Sequence, residues 1–121
     1  MRRLSLILAV LCLYSPLALG ANYYVDGSGA SADDAWDGQT SVWSADTHGP
    51  WLTLTGAATQ VSPGDTVWTR FSTYRETLTV VDANTTWLGD TDGSVWATST
   101  DYPVIDGEGT RNGATWNVVT V

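Results

Sequence analysis

Hydrophobic and polar residues fall into three textures along the chain. The first is a largely apolar run from Leu4 to Leu13 behind Arg2 and Arg3, followed by Pro16 and the small-residue pattern Ala18-Leu19-Gly20. A positive start, an apolar stretch of this length and a small-residue site together predict an export signal over residues 1–20, cut just before Ala21. The run is shorter than the roughly 20 residues a membrane span needs, and Ser15 and Pro16 interrupt it. No stable membrane anchor is expected once it is removed.

The second texture, from Ala21 to Val61, begins with a short β-like run, Tyr23-Tyr24-Val25. Turn formers follow in Asp26-Gly27-Ser28-Gly29 and Asp33-Asp34-Ala35-Trp36-Asp37-Gly38. Between Trp51 and Val61 the apolar residues Leu54, Ala57, Ala58 and Val61 recur at i, i+3, i+4 and i+7, which predicts one short helix. Thr53 is its expected N-cap and Pro63-Gly64 its stop. Gly56 and several threonines lower its intrinsic propensity, so the helix must depend on burying that stripe.

After Gly64 the chain becomes a series of short β-rich runs between turns: Thr66 to Phe71, Thr77 to Val81, Thr85 to Leu88, Ser94 to Ala97, Pro103 to Ile105 and Trp116 to Val121. Short strands with Asp-Gly, Gly-Asp and Asn-Gly punctuation predict an all-β architecture, either a sandwich or a solenoid. In the first of these runs Val67, Thr69 and Phe71 alternate to one face, and Trp68 and Arg70 to the other.

Composition narrows the function classes. With 43% hydrophobic and only 15% charged residues, 12 Gly and no lysine, the 121 residues are unlike a coiled coil or helical bundle. Loss of residues 1–20 would leave Arg70, Arg75 and Arg111 against 13 carboxylates, a net charge of −10. Such a chain cannot track a nucleic-acid backbone. Cys12, the only cysteine, would depart with the signal, leaving no thiol for a disulfide, a zinc cluster or a nucleophile. A lipid-anchored cysteine would have to stand at the cleavage site, and Cys12 does not.

Five segments then occur in order: Tyr23-Tyr24-Val25, Pro50-Trp51, Pro63-Gly64-Asp65-Thr66-Val67, Thr73-Tyr74-Arg75-Glu76-Thr77 and Pro103-Val104-Ile105-Asp106-Gly107. Together, from about Tyr23 to Gly109, they resemble the N-terminal region of secreted right-handed parallel β-helix proteins of the pectate-lyase-like type. The resemblance implies the start of a right-handed parallel β-helix solenoid with a short N-terminal capping helix. One departure is Ser72, where the family commonly has glycine. Solenoids need about three or more stacked repeats and a cap at each end. The apolar run Asn117-Val118-Val119-Thr120-Val121 is no such cap, so residues 21–121 are expected to be the cap and first coils of a longer, truncated domain.

Candidate chemistry is sparse. Arg75 and Glu76 could form a cation and base, but neighbours on a strand face opposite ways, which favours a structural role. Asp90-Thr91-Asp92-Gly93 looks like part of a calcium loop. Aligning Gly93 with that loop's invariant glycine, however, puts Leu88 at the first ligand position and Ser99 at the last, so a plain turn is expected. Asp26, Asp33, Asp34 and Asp37, and likewise Asp106 and Glu108, are expected to be solvated loop carboxylates rather than calcium ligands. His48, the only histidine, is expected in an exposed loop. Of the seven tryptophans, Trp51 and Trp87 are expected in the core; Trp68 shares a face with Arg70 and would be the candidate for stacking on a sugar if that face were outward, but burial is the favoured expectation for a large aromatic. Asn84-Thr85-Thr86 is a formal glycosylation sequon.

The resemblance implies a secreted, extracellular protein, or a periplasmic or cell-surface one in a bacterium. As a full-length molecule it would bind or degrade polysaccharide, as a lyase on uronic-acid polymers would. Family members of that kind use a lysine or arginine base beside a carboxylate neutralised by calcium. No residue here matches that machinery, so no catalytic, cofactor or metal residue is assigned within 1–121, and calcium is expected only in the parent. The alternative is a non-catalytic surface or adhesion scaffold, or a small Trp-rich glycan-binding domain; fold alone does not decide between them.

Overall fold

The computed structural model describes residues 19–80, 84–98 and 101–106, together with the backbone of two short strands at 114–115 and 118–120. Most of residues 1–20, expected to be an export signal, lies outside the described residues, Cys12 included, as do Val81, Gly107, Glu108, Gly109, Arg111 and Trp116. In chain order the elements are β1 (Asn22–Val25), α1 (Leu54–Ala58), β2 (Thr66–Thr69), β3 (Thr73–Tyr74), β4 (Thr86–Gly89), β5 (Val104–Ile105), β6 (Ala114–Thr115) and β7 (Val118–Thr120). Regular structure among the described residues is therefore mostly strand with little helix.

The strands form two sheets, one ordered β1-β2-β4-β7 and the other β3-β5-β6. Parallel neighbours need a crossover between them, and here the chain supplies it by alternating sheets. It runs β2 in the first, β3 in the second, β4 in the first and β5 in the second, with β1·β2, β2·β4 and β3·β5 all parallel. The register is unbroken: Tyr23, Val67 and Trp87 lie side by side, as do Tyr24, Trp68 and Leu88, and Val25, Thr69 and Gly89. The last two strands reverse, β6 against β5 and β7 against β4. A closed solenoid is not present among the described residues.

Alternation along the strands decides what is buried. Val25, Val67, Thr69 and Trp87 point inward and are fully buried, while Tyr24, Trp68 and Leu88 point outward and are half-buried. Onto the inward face packs α1 with Leu54, Ala57 and Ala58, joined by Val61, Trp51 and Tyr74 in one cluster. The helix starts as its sequence predicts: Thr53 is the N-cap, and its hydroxyl accepts the Gly56 N–H at 2.8 Å. It is shorter than the periodic stretch: Thr59 caps it after Ala58, and Val61 is buried beyond its end.

An open β1 edge would offer unpaired backbone groups to other chains. The long connection from Asp26 to Trp51 returns to cover it. Tyr24 N–H donates to the Gly38 carbonyl at 2.8 Å, Trp51 N–H to the Tyr24 carbonyl at 2.9 Å, and Asp26 N–H to the Trp51 carbonyl at 2.8 Å. Trp51 anchors that return by stacking on Tyr23 at 4.9 Å and donating its indole N–H to the Trp36 carbonyl at 2.7 Å. Gly38 lies beneath it with φ of 68°, where a Cβ would come within 2.5 Å of the indole, so only glycine fits.

Several expected strands are different. Residues 77–80 have no regular structure, and Ser94 to Ala97 form bends and a turn, because the Asp90 carboxylate takes the N–H groups of Ser94, Val95 and Trp96 that a ladder would have used. Strand β2 stops at Thr69, so Phe71 leaves the alternation and is exposed instead of joining Val67 and Thr69 inside. A two-residue strand, β3, appears at Thr73–Tyr74, where none was expected. Within the apolar run at 116–121, Val118–Thr120 pairs with β4 in the antiparallel sense. Ser72 replaces glycine without strain, since its φ is not in the left-handed region.

Thr69 carries the one buried side-chain oxygen, Oγ1, that lacks a hydrogen-bond partner among the described residues. A buried unsatisfied hydroxyl costs about 1–3 kcal/mol. Thr69→Val keeps the branched shape and removes that penalty, so urea unfolding is expected to give a gain of about 1 kcal/mol; a loss of stability would show that the hydroxyl has a partner.

Candidate functional site

Because the parallel strands stack in register, their outward residues line up in rows across the sheet, with neighbouring rungs ~4.8 Å apart. One row is polar, Asn22, Thr66 and Thr86. The next is apolar and aromatic, Tyr24, Trp68 and Leu88. The ladder extends one step beyond the strands, through Arg70 N–H to the Val25 carbonyl and Asp90 N–H to the Thr69 carbonyl, each at 2.9 Å. That step creates a third row, Asp26, Arg70 and Asp90.

The third row is tightly held. Arg70 Nη1 meets Asp26 Oδ2 at 2.7 Å, with Asp26 almost fully buried, and Arg70 Nη2 donates to Thr98 Oγ1 at 2.7 Å. Asp90, fully buried, collects the amides of the 94–96 turn, the shortest from Trp96 at 2.8 Å. This turn delivers Trp96 against Tyr24, edge to face at 6.0 Å, and the Trp96 indole N–H donates to the Ser41 carbonyl at 2.6 Å. The segment after Ser41 is thus fixed at the Tyr24 end of the aromatic row, and it exposes Val42 and Trp43, the latter at 51%.

Beneath this face lies Tyr74. Its hydroxyl donates to the Arg70 carbonyl at 2.9 Å and accepts the Gly27 N–H at 3.0 Å, joining the chain after β1 to the chain after β2. Burial is the main cause that pushes the phenol well above its ordinary pKa, with the Asp26 and Glu76 charges adding to it. Tyr74 therefore stays neutral and holds the scaffold. It is not a base.

The acidic residues singled out in the sequence do not converge. Glu76 accepts Leu54 N–H at 2.8 Å and Thr55 N–H at 2.7 Å at the start of α1, a structural role, while its neighbour Arg75 is exposed. Asp34 accepts Leu52 N–H, Thr53 N–H and the Thr53 hydroxyl between 2.7 and 2.9 Å. Asp33 takes the Ala35 amide, and Asp92 that of Ser94. Asp106 is half-buried and its own N–H donates to the Tyr74 carbonyl. Asp26 and Asp90 are buried and bonded, not solvated as their turn-rich context implies. Among the described residues, no group of three or more His, Cys, Asp or Glu side chains could hold a metal ion.

His48 is exposed, and its Nδ1 pairs with the Asp37 carboxylate. Partial burial works against ionisation of Asp37, but the Gln39 N–H and His48 outweigh it and hold this carboxyl below its ordinary pKa. Trp51 and Trp87 are in the core, and Trp68 is on the outward face, half-buried. Asn84 of the sequon is exposed in a left-handed turn with φ of 64°. Trp96, Tyr24 and Trp43 were not singled out as site residues. The parity of Tyr24 with Trp68 was available in the pattern, but the placement of Trp96 rests on Asp90, which periodicity does not reveal.

No protein-family model, curated protein or solved structure matches this chain.

Two measurements check this account. Tyr74→Phe leaves the Gly27 N–H and Arg70 carbonyl without their partner and is expected to cost about 2 kcal/mol in urea unfolding; an unchanged midpoint would refute the role given to the hydroxyl. For Asp37, a lowered folded-state pKa means that its contribution is present above the ordinary carboxylate pKa of ~3.9 and is lost as pH falls through the folded value. The protection of the Gln39 amide, its exchange rate relative to an unstructured peptide at the same pH, is expected to fall on acidification in the wild type and to be much less pH-sensitive in Asp37→Asn. Equal pH profiles would count against the pair.

Proposed function

We propose that this chain is the N-terminal portion of a secreted parallel β-helix protein that binds or degrades polysaccharide, with residues 1–20 as its export signal and 21–121 supplying the cap and first coils. The observation that carries this reading is the unbroken parallel register of β1, β2 and β4, with β3 and β5 in parallel on a second sheet. A chain that alternates between sheets and advances one rung per circuit is what stacked coils require. In this reading α1 and the 26–51 connection close the first rung.

The same register supports a glycan as partner. Sugars offer apolar C–H faces that aromatic rings cover, and hydroxyls that small polar side chains can bond. The Tyr24 and Trp68 row lies beside the Asn22, Thr66 and Thr86 row, and Trp43 extends the aromatic surface at one end. Catalysis is assigned elsewhere: Asp34, Asp65, Glu76 and Asp90 are engaged with backbone amides, and Arg70 with Asp26. A lyase base and its calcium would belong to later coils of the parent. The alternative, a non-catalytic adhesion scaffold, is favoured by a face suited to binding and bare of reactive groups.

Full-length parent incubated with polygalacturonate or alginate and calcium is expected to yield unsaturated products, whereas the 121-residue chain yields none. Absence of product across several polymers would leave the scaffold as the better account. In either case Trp68→Ala is expected to weaken retention on immobilised polysaccharide by roughly tenfold, since an aromatic contact of this kind is worth about 1 kcal/mol or more; undiminished retention would remove Trp68 from the site.

A further inference from the structure

The expected cleavage point and the structure meet at one atom. The Ala21 nitrogen donates to Asp65 Oδ1 at 2.8 Å, and the other oxygen of that carboxylate accepts the Ser62 N–H at 2.7 Å. Asp65 is 7% exposed. It occupies the turn that starts β2, between two rungs: Thr66 N–H bonds the Ala21 carbonyl, and Thr86 N–H bonds the Asp65 carbonyl, each at 2.9 Å. The ion pairs among the described residues are Asp26 with Arg70 and Asp37 with His48, so Asp65 has no arginine or histidine beside it. In the uncut chain this buried carboxylate faces only neutral amides.

We propose that removal of the leader completes the fold, by creating at Ala21 an α-ammonium group that ion-pairs with Asp65. The inference rests on the export-signal reading above. In the step itself, a signal-cleaving peptidase adds one water across the Gly20–Ala21 peptide bond. Gly20 leaves as a carboxylate with residues 1–20, and the Ala21 nitrogen takes up protons to become the ammonium. The donor is already in position, so cleavage changes its charge without requiring it to move. A charge-assisted hydrogen bond is roughly twice as strong as a neutral one, and here it also compensates a buried anion in a strongly acidic molecule.

The residue before the cut fits the same account. Gly20 lies so close to the turn that a Cβ on it would fall 1.6 Å from the Gly64 carbonyl oxygen. Only glycine can occupy that place while the leader is attached, and a small residue there is also what the peptidase needs. Leu19, one residue earlier, is 98% exposed, which leaves the approach to the bond open.

The absence of lysine makes the test unusually clean, because after cleavage the Ala21 α-amine is the only primary amine within residues 21–121. The full chain would be exported by a secreting host, its N-terminus sequenced, and the folded product treated with an amine-acetylating ester at neutral pH. The expected start is Ala21, with acetylation roughly tenfold slower than in a peptide of the same N-terminal sequence, the effect of about one unit of pKa elevation. Asp65→Asn is expected to restore the peptide rate. Because that variant also loses the Ser62 contact and could fail to fold, the wild type would in addition be acetylated in urea and refolded; its melting point is expected to fall by about 5 °C. A start at another residue would overturn the export-site reading and the lock together. A start at Ala21 with peptide-like reactivity, or with no change in melting on acetylation, would overturn the lock alone.

Discussion

The constraint on which the structure depends is the satisfaction of backbone N–H groups that no strand or helix accommodates. The strands are two to four residues long and the helix has five, so much of the chain lies in connections whose amides must still be paired where they are buried. Acidic side chains supply the acceptors. Asp34 and Glu76 hold opposite sides of the entry to α1, Asp65 holds the turn into β2, and Asp90 holds the turn after β4. Each of these carboxylates fixes a connection against the two sheets, and the register of the sheets fixes where the carboxylates stand. Neither would persist alone, since sheets this narrow need covered edges.

This arrangement changes the meaning of the acidic composition. A net charge of −10 on the expected mature chain would ordinarily be read as a signal about partners, such as calcium or a basic surface. Here a large share of the carboxylates is spent on internal amides and on Arg70 and His48, and the charge is mainly a by-product of how the loops are held. The outward face that results has an aromatic row between a polar row and one in which Arg70 meets Asp26 and Asp90 holds backbone amides. Its geometry follows from stacking, because identical spacing of rungs converts single residues on β1, β2 and β4 into continuous rows.

The parts of this fold that were legible from the residues are those governed by a single period. The 3.6-residue spacing of Leu54, Ala57, Ala58 and Val61 located the helix and its Thr53 cap, and two-residue alternation separated Val67 and Thr69 on one face from Trp68 on the other, without showing which face is the inner one. Volume and apolarity sufficed to place Trp51 and Trp87 in the core. What failed was anything decided by a side-chain acceptor or by where a strand stops. Ser94 to Ala97 has the composition of a strand, but a carboxylate several residues earlier claimed its amides, and β2 ends at Thr69, which leaves Phe71 beyond it exposed. Sequence shows that an aspartate is present, and not which amide it will take.

The Thr73-Tyr74-Arg75-Glu76 segment shows how the two kinds of information combine. In the sequence it is one piece of a family-like pattern, with a structural role expected for Arg75 and Glu76. In the structure its alternate residues work in opposite directions: Tyr74 points inward and joins the ends of β1 and β2, Glu76 reaches the first amides of α1, and Arg75 between them faces solvent. A four-residue stretch can therefore tie both the sheet and the helix to the second sheet, through β3 and its pairing with β5. A motif of this kind marks architecture, because the Tyr74 hydroxyl and the Glu76 carboxylate are both bonded to backbone groups. Its ordered spacing along the sequence therefore reports on how β3 is tied to the first sheet and to α1.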